Sequence, residues 1–320
     1  GTINRYYKKK SDDIETNVEG TPSDFTLPML QALKSFGVNR ISIGVQTLNP
    51  DEIKKTGRKS NVVVLDTLEN IRSLYSNFNV DLIYGLPAQT RESWFMTLKK
   101  ILEYHPSVLS LFPVVVRPSS KIKASQNKSD DYYLSDKEKY DIYDENLALV
   151  NKHGYKQDCF TRFCSSDIDS FFQETMEFKG MPLIGIGPGA RSYKDRYHYS
   201  TDYVVSNEES YEVVKRFMEQ EFNDETTTDN GIILDEDEQK RRFVILNLSL
   251  YGIDASLYKE KFASSPFERF GPEFKILRDN KCIAVDDRDN VKLTPFGYKF
   301  SPLLAQLFFS EKMKALELDL

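Results

Sequence analysis

Two polar residues, Gln46 after one apolar run and Asp81 within another, stand out in this chain. The runs, Ile41 to Val45 and Val80 to Tyr84, are short and aliphatic, and helix-like sequence separates them. That alternation is the mark of parallel β-α-β units. In such an array the residues at the C-terminal strand ends converge on one face, where the loops build a site. Gln46 and Asp81 are expected there, able to hydrogen-bond a polar ligand laid across the strand tips. Arg58, just past a short helix, could grip a carboxylate in bidentate fashion. Together the three suit a zwitterionic or nucleoside-like ligand.

Other residues with chemical potential are scattered. The segment Gly185-Ile-Gly-Pro-Gly-Ala190 is dense enough in glycine to bring backbone close to a ligand, with Gly187 and Gly189 at its centre. Its spacing is not that of a dinucleotide fingerprint. Cys159 and Cys164 fall within one expected strand, Tyr155 to Phe163 and its edge, where alternation turns them to opposite faces. Cys282 lies far downstream. Three cysteines form no disulfide framework, which fits a reducing compartment.

The elements that position these groups can be read in order. A short strand is expected over Asp12 to Asn17. Leu27, Leu30, Leu33 and Phe36 recur at helical spacing, with Thr26 as N-cap and Gly37 as C-cap. Asn49-Pro50 starts a short helix to Thr56, and Asn61 to Leu74 is an amphipathic helix. Thr90 caps a helix to about Tyr104, and Ser107 to Val116 is a buried strand. Residues 121 to 133 read as an exposed loop or lid. Ser135 to Glu138 is a capping box that opens a helix ending at His153-Gly154, where His153 suits the helix macrodipole.

A chain of 320 residues is long enough for one barrel-like domain and a smaller one. The acidic, threonine-rich stretch 223–238 reads as a linker between 1–222 and 239–320. The last part has the order helix, helix, hairpin, helix of a small winged-helix-like module, but acidic residues surround its hairpin. A net charge of −6 gives no electrostatic reason to propose nucleic acid. No apolar run approaches the ~20 residues needed to cross a bilayer, so no membrane partner and a cytoplasmic location are expected.

Phe36 to Gln46, Gly57-Arg58, Asp81 to Pro87 and Gly185 to Tyr193 resemble, in this order, the radical S-adenosylmethionine family related to oxygen-independent coproporphyrinogen III oxidase. The resemblance implies an α/β fold, a partial (β/α)6 TIM-like barrel. Five strands are counted from Asp12, and the first strand of the family is the missing one. It further implies S-adenosylmethionine as cofactor, bound by Glu15 on the ribose, by Gln46, Arg58 and Asp81, and by backbone near Val115 on the adenine. Gly187 and Gly189 would border the cavity. Arg117, Arg162 and Arg191 are candidates for substrate carboxylates, each also readable as a structural or surface arginine.

The family holds a 4Fe-4S cluster with Cys-x3-Cys-x2-Cys and takes electrons from a flavodoxin or ferredoxin type donor. That motif is absent here, so no metal ligand is assigned, and the chain, which begins with Gly1, is expected to be the portion downstream of the cluster loop and inactive alone. The implied activity of an intact enzyme, expected to be a monomer, is formation of a 5′-deoxyadenosyl radical that modifies a small organic molecule, by methylation or oxidative decarboxylation. A haem-binding protein without turnover and a cluster-less interaction protein are the alternatives.

Overall fold

The computed structural model describes residues 14–56, 63–116, 133–165, 172–201, 207–221, 230–250 and 252–318. The chain divides into two compact units, Gly1–Ser170 and Phe171–Leu320.

In the first unit strands and helices alternate: β1 (Asn17–Gly20), α1 (Leu27–Ser35), β2 (Arg40–Gln46), α2 (Pro50–Lys55), α3 (Val64–Leu74), β3 (Phe78–Tyr84), α4 (Arg91–Leu102), β4 (Val108–Pro113) and α5 (Asp136–Lys152), then β5 (Tyr155–Gln157) and β6 (Arg162–Ser165). They form one sheet in the order β1-β2-β3-β4-β6-β5. Its first four strands are parallel neighbours, and β6 runs antiparallel to both β4 and β5. Parallel neighbours need crossover connections, and helices supply them here.

Alternation along the strands then sorts the residues by face. Ile41, Ile43 and Val45 of β2 and Val80, Leu82 and Tyr84 of β3 pack with Leu68, Ile71, Trp94 and Leu98 of the helices in one core. Each such side chain contributes about 1.5–3 kcal/mol of burial. The indole of Trp94 is satisfied inside this core, donating to Asn146 Oδ1 at 2.7 Å. With the apolar set turned to the helices, the opposite face receives the intervening polar residues.

The helix ends follow the expected chemistry. Thr90 and Ser135 each form reciprocal capping boxes, with Ser93 and Glu138. His153 is the C-cap of α5, its Nδ1 2.9 Å from the Leu149 carbonyl. Two expectations change. The first strand is Asn17–Gly20 rather than Asp12 to Asn17. Tyr155 to Phe163 is a hairpin rather than one strand, because Asp158 and Cys159 both direct backbone N–H groups to the Arg162 carbonyl and fold the chain back. The sheet thus has six strands where five were counted.

The second unit holds α6 (Phe172–Phe178), β7 (Arg191–Lys194), β8 (Tyr197–Ser200), α7 (Asn207–Glu219), β9 (Asn230–Ile233), α8 (Glu236–Ser249), α9 (Ala255–Phe262), α10 (Pro266–Asp279), β10 (Ile283–Val285), β11 (Val291–Leu293), α11 (Pro295–Ala305) and α12 (Glu311–Leu318). β7, β8 and β9 make an antiparallel sheet, and β10 and β11 a hairpin. Phe243, Tyr258, Phe270, Phe274 and Phe308 centre its core. β9 falls inside the stretch read as a linker, and the division at Ser170 comes earlier than the expected 222. Among the described residues no helix is long and apolar enough to cross a membrane.

Candidate functional site

The polar face of the first sheet is built in rows. Register aligns Glu19 with Ser42 and Ser42 with Asn79; one step on, Gly44 lies beside Asp81, Asp81 beside Ser110, and Ser110 beside Arg162. Hydrogen bonds cross these rows. Asn79 Nδ2 donates to Asp81 Oδ1 at 2.7 Å and reaches Ser42 Oγ at 3.4 Å, while Ser110 Oγ donates to Asn79 Oδ1 at 2.9 Å. Asn79 is therefore fixed from both sides and presents Asp81 in one orientation.

Burial pushes the Asp81 carboxyl above its ordinary 3.8, and the Glu19 charge adds to the rise; bonding to Asn79 and Ser110 and the charge of Arg40 oppose it. The three charges thus act through the same space. Glu19 is exposed at the end of β1, whereas Arg40, 1 % exposed, begins β2 and holds Glu15 at 3.1 Å.

At the tip of β2 the backbone departs from regular geometry. The register slips between Gly44 and Gln46, and Gln46 has φ +68°, a left-handed conformation uncommon outside glycine. Such bulges re-aim side chains at strand ends and cluster at functional sites. Gly85, one residue past β3, has φ +84°, a conformation strained for any other residue, and a Cβ there would also crowd Val114 Cγ1 at 3.0 Å.

The expected site residues divide accordingly. Gln46 and Asp81 do lie on neighbouring parallel strands, but only Gln46 is at a strand end: Asp81 is in the middle of β3, three residues short of its tip, where it pairs with Gly44, and Gln46 pairs with Leu82. Glu15 does not reach a strand tip: it precedes β1 and is spent on Arg40, and the acidic residue at the C-terminal end is Glu19. Arg162 is on the polar face but buried, its Nε donating to Asp158 Oδ2 at 2.7 Å, so it is a structural arginine before it is a substrate clamp. Val115 lies beyond β4 and is 74 % exposed. Arg58 and Arg117 lie outside the described residues.

Gly187, Gly189 and Arg191 belong to the second unit. Gly187 (φ +115°) and Gly189 (φ +72°) are stitched by Thr201, whose hydroxyl donates to the Gly187 carbonyl and accepts from Gly189 N–H. Arg191 is exposed on β7. Glu19, Ser42, Asn79 and Ser110 were not singled out from sequence, although Asn79 shares the two-residue period of Asp81.

Residues 3–101 match the model of the radical SAM superfamily. That stretch is similar to radical SAM domains. It is 36 % identical over 147 residues to oxygen-independent coproporphyrinogen III oxidase of Escherichia coli, covering 45 % of this chain and 32 % of the oxidase. It is 28 % identical over 193 residues to the heme chaperone HemW of Bacillus subtilis, covering 60 % of this chain and 51 % of the chaperone. The chain thus spans between a third and about half the length of these two relatives. The solved structure of E. coli coproporphyrinogen III oxidase (HemN), described as a radical SAM enzyme, superimposes with a TM-score of 0.75 at 26 % identity, covering 93 % of this chain and 70 % of that one.

Radical SAM proteins use S-adenosylmethionine and a 4Fe-4S cluster. The polar face fits the first: its carboxylates, amides and hydroxyls are the donor and acceptor set that a ribose and an amino acid head require. The cysteines present do not fit the second. Cys159 lies in the β5–β6 turn rather than on a strand, Cys164 is buried on β6, and Cys282 belongs to the second unit. Burial pushes the Cys159 thiol up, the opposite of what a thiolate ligand needs. Among the described residues no group of three histidines, cysteines or carboxylates could hold a metal.

Proposed function

We propose that the radical SAM-like region of this chain binds S-adenosylmethionine on the polar face of β1–β4, as part of an enzyme that modifies a small organic molecule, tetrapyrroles being the favoured class. The observation that carries this is the immobilised Asp81, raised by burial and oriented by Asn79 and Ser110, beside the strained tip at Gln46. In an intact enzyme whose cluster ligands lie outside the cysteines described above, S-adenosylmethionine would be the source of a 5′-deoxyadenosyl radical. Asp81 and Gln46 would accept and donate hydrogen bonds to its polar head, and Glu19, at the tip of β1, would take the ribose role expected of a strand-end glutamate. Gly85 leaves the backbone after β3 free to turn away. The substrate class and the choice between methylation and oxidative decarboxylation rest on likeness to the oxidase.

Calorimetric titration of the purified chain with S-adenosylmethionine tests the reading. Saturable binding is expected, weakened about tenfold or more when Glu19 is changed to Gln, since charge-assisted hydrogen bonds are the strong ones. Absence of binding at millimolar cofactor overturns it. Similarity to the heme chaperone favours a second reading, haem binding without turnover. A Soret shift on adding haem, unaffected by S-adenosylmethionine in a chain that ignores that cofactor, would select it.

A further inference from the structure

Behind the tip of β2, which carries Gln46, and the tip of β3, the strand of Asp81, sits a carboxyl group that the site does not use directly. Glu52, in the first turn of α2, is 1 % exposed. It accepts three hydrogen bonds, each from a different segment: from Thr47 Oγ1 at 2.6 Å, from Gln89 Nε2 at 2.9 Å, and from Ser93 Oγ. All three donors are neutral side chains. A carboxyl group enclosed in this way is costly unless every oxygen is satisfied, so the three bonds act as one unit.

The segments held are the ones that shape the site. Thr47 follows the left-handed Gln46 directly, and its hydroxyl also accepts from Asn49 N–H at 3.1 Å. Gln89 lies in the loop after β3. Its Oε1 accepts from Gly85 N–H at 2.6 Å while its Nε2 also reaches the Ile83 carbonyl at 3.2 Å, so it grips both sides of the turn that ends the Asp81 strand. Ser93 belongs to the capping box of α4, which fixes that helix under the same turn. Glu52 therefore joins the tip of β2, the tip of β3 and the start of α4 through a single side chain.

We infer that Glu52 is a positioning residue: its carboxyl locks the β2 and β3 tips at the separation that lets Gln46 and Asp81 engage one ligand. This rests on the proposed S-adenosylmethionine reading. A glutamine introduced at this position cannot replace it, because its amide would turn N–H groups toward donors that already need an acceptor. A reciprocal exchange of the two side chains could do so in part, at the cost of the Gln89 bond to the Ile83 carbonyl and of the acceptor for the Thr47 hydroxyl. The amide moved onto α2 would then donate to the carboxylate moved into the loop after β3, and that carboxylate would still accept from Gly85 N–H.

The test compares the full chain with Glu52→Gln, Glu52→Ala, Thr47→Val and the double exchange Glu52→Gln with Gln89→Glu. S-adenosylmethionine affinity is measured by calorimetry and Gly85 amide exchange by NMR, well below the melting transition. Glu52→Gln and Glu52→Ala should weaken binding about tenfold or more and speed Gly85 exchange, and the double exchange, which keeps the bond between positions 52 and 89 and the Gly85 N–H acceptor, should restore part of both. Thr47→Val, which removes one donor and keeps the shape, should weaken binding by about threefold even if the Glu52 variants fail to fold. Wild-type binding with unchanged affinity in folded Glu52→Ala, or in Thr47→Val where the former is unfolded, overturns this inference alone. A wild-type chain that binds no S-adenosylmethionine overturns the parent reading, and this one with it.

Discussion

Asp81 is held in a buried setting at a cost in stability. Its carboxyl is raised above 3.8 chiefly by burial, so ionising it is harder in the folded chain than in the unfolded one. The folded state then holds more protons, and stability falls as pH rises above 3.8 through the raised value. Asp81→Asn removes that penalty. Melting of the variant at pH 7 is expected at or above the wild-type temperature, the gap closing as pH falls toward about 3.8, while S-adenosylmethionine affinity drops by about tenfold. A variant that melts lower at pH 7 than at pH 4, relative to wild type, contradicts the account. Gln46 was legible in the sequence because it ends an apolar run; Asp81 was legible as the polar residue inside one, though it was expected at a strand end and lies in the middle of β3. Glu19 was not: Glu15, Asn17 and Glu19 share one parity, so alternation cannot choose among them. Only the pairing of Glu19 with Ser42 fixes which carboxylate reaches the tip.

Elements whose ends are fixed by local chemistry were read nearly to the residue. The capping boxes at Thr90 and Ser135 need nothing beyond four consecutive residues, and the structure forms both. The β5–β6 hairpin escaped because its turn, Asp158 to Thr161, contains neither glycine nor proline, and the Asp158–Arg162 pair that braces it spans the turn itself. Between helices the same kind of clasp is testable. Asp237 on α8 accepts from Arg241 of its own helix at 2.7 Å and from Arg269 Nη2 of α10 at 3.0 Å, and the Arg269 and Arg241 bonds hold its carboxyl down at about 2 against the opposing effect of burial. A depressed acid contributes stability that is present above its unfolded value of 3.8 and lost as pH falls through about 2. Because the pair is 38 % and 40 % exposed, screening limits its worth to about 1 kcal/mol. Asp237→Asn should therefore lower unfolding free energy at pH 7 and match wild type near pH 2, as read by denaturant titration at both.

At the scale of the molecule, local composition misplaced the boundary. The acidic stretch after residue 222 looks like a linker, yet β9 within it pairs with β8, aligning Ile233 with Tyr197 and Asn230 with Ser200. A pairing across some thirty residues leaves no trace in the composition of either partner. What the sequence did show, a parallel array followed by a helical module with a hairpin, survives as two cores that have no residue in common among those described. Leu68 is wholly enclosed in the first, on α3, and Phe274 in the second, on α10. Leu68→Ala should cost about 2–5 kcal/mol and Phe274→Ala about 3–5 kcal/mol, through lost burial and the cavities left behind. Since the two sites share no packing partner, the double variant should lose the sum of the two to within about 0.5 kcal/mol in reversible denaturation. An interaction energy well beyond that would mean that the cores do not respond separately, and only the Leu68 change should alter S-adenosylmethionine binding if the sheet of the first unit is the site.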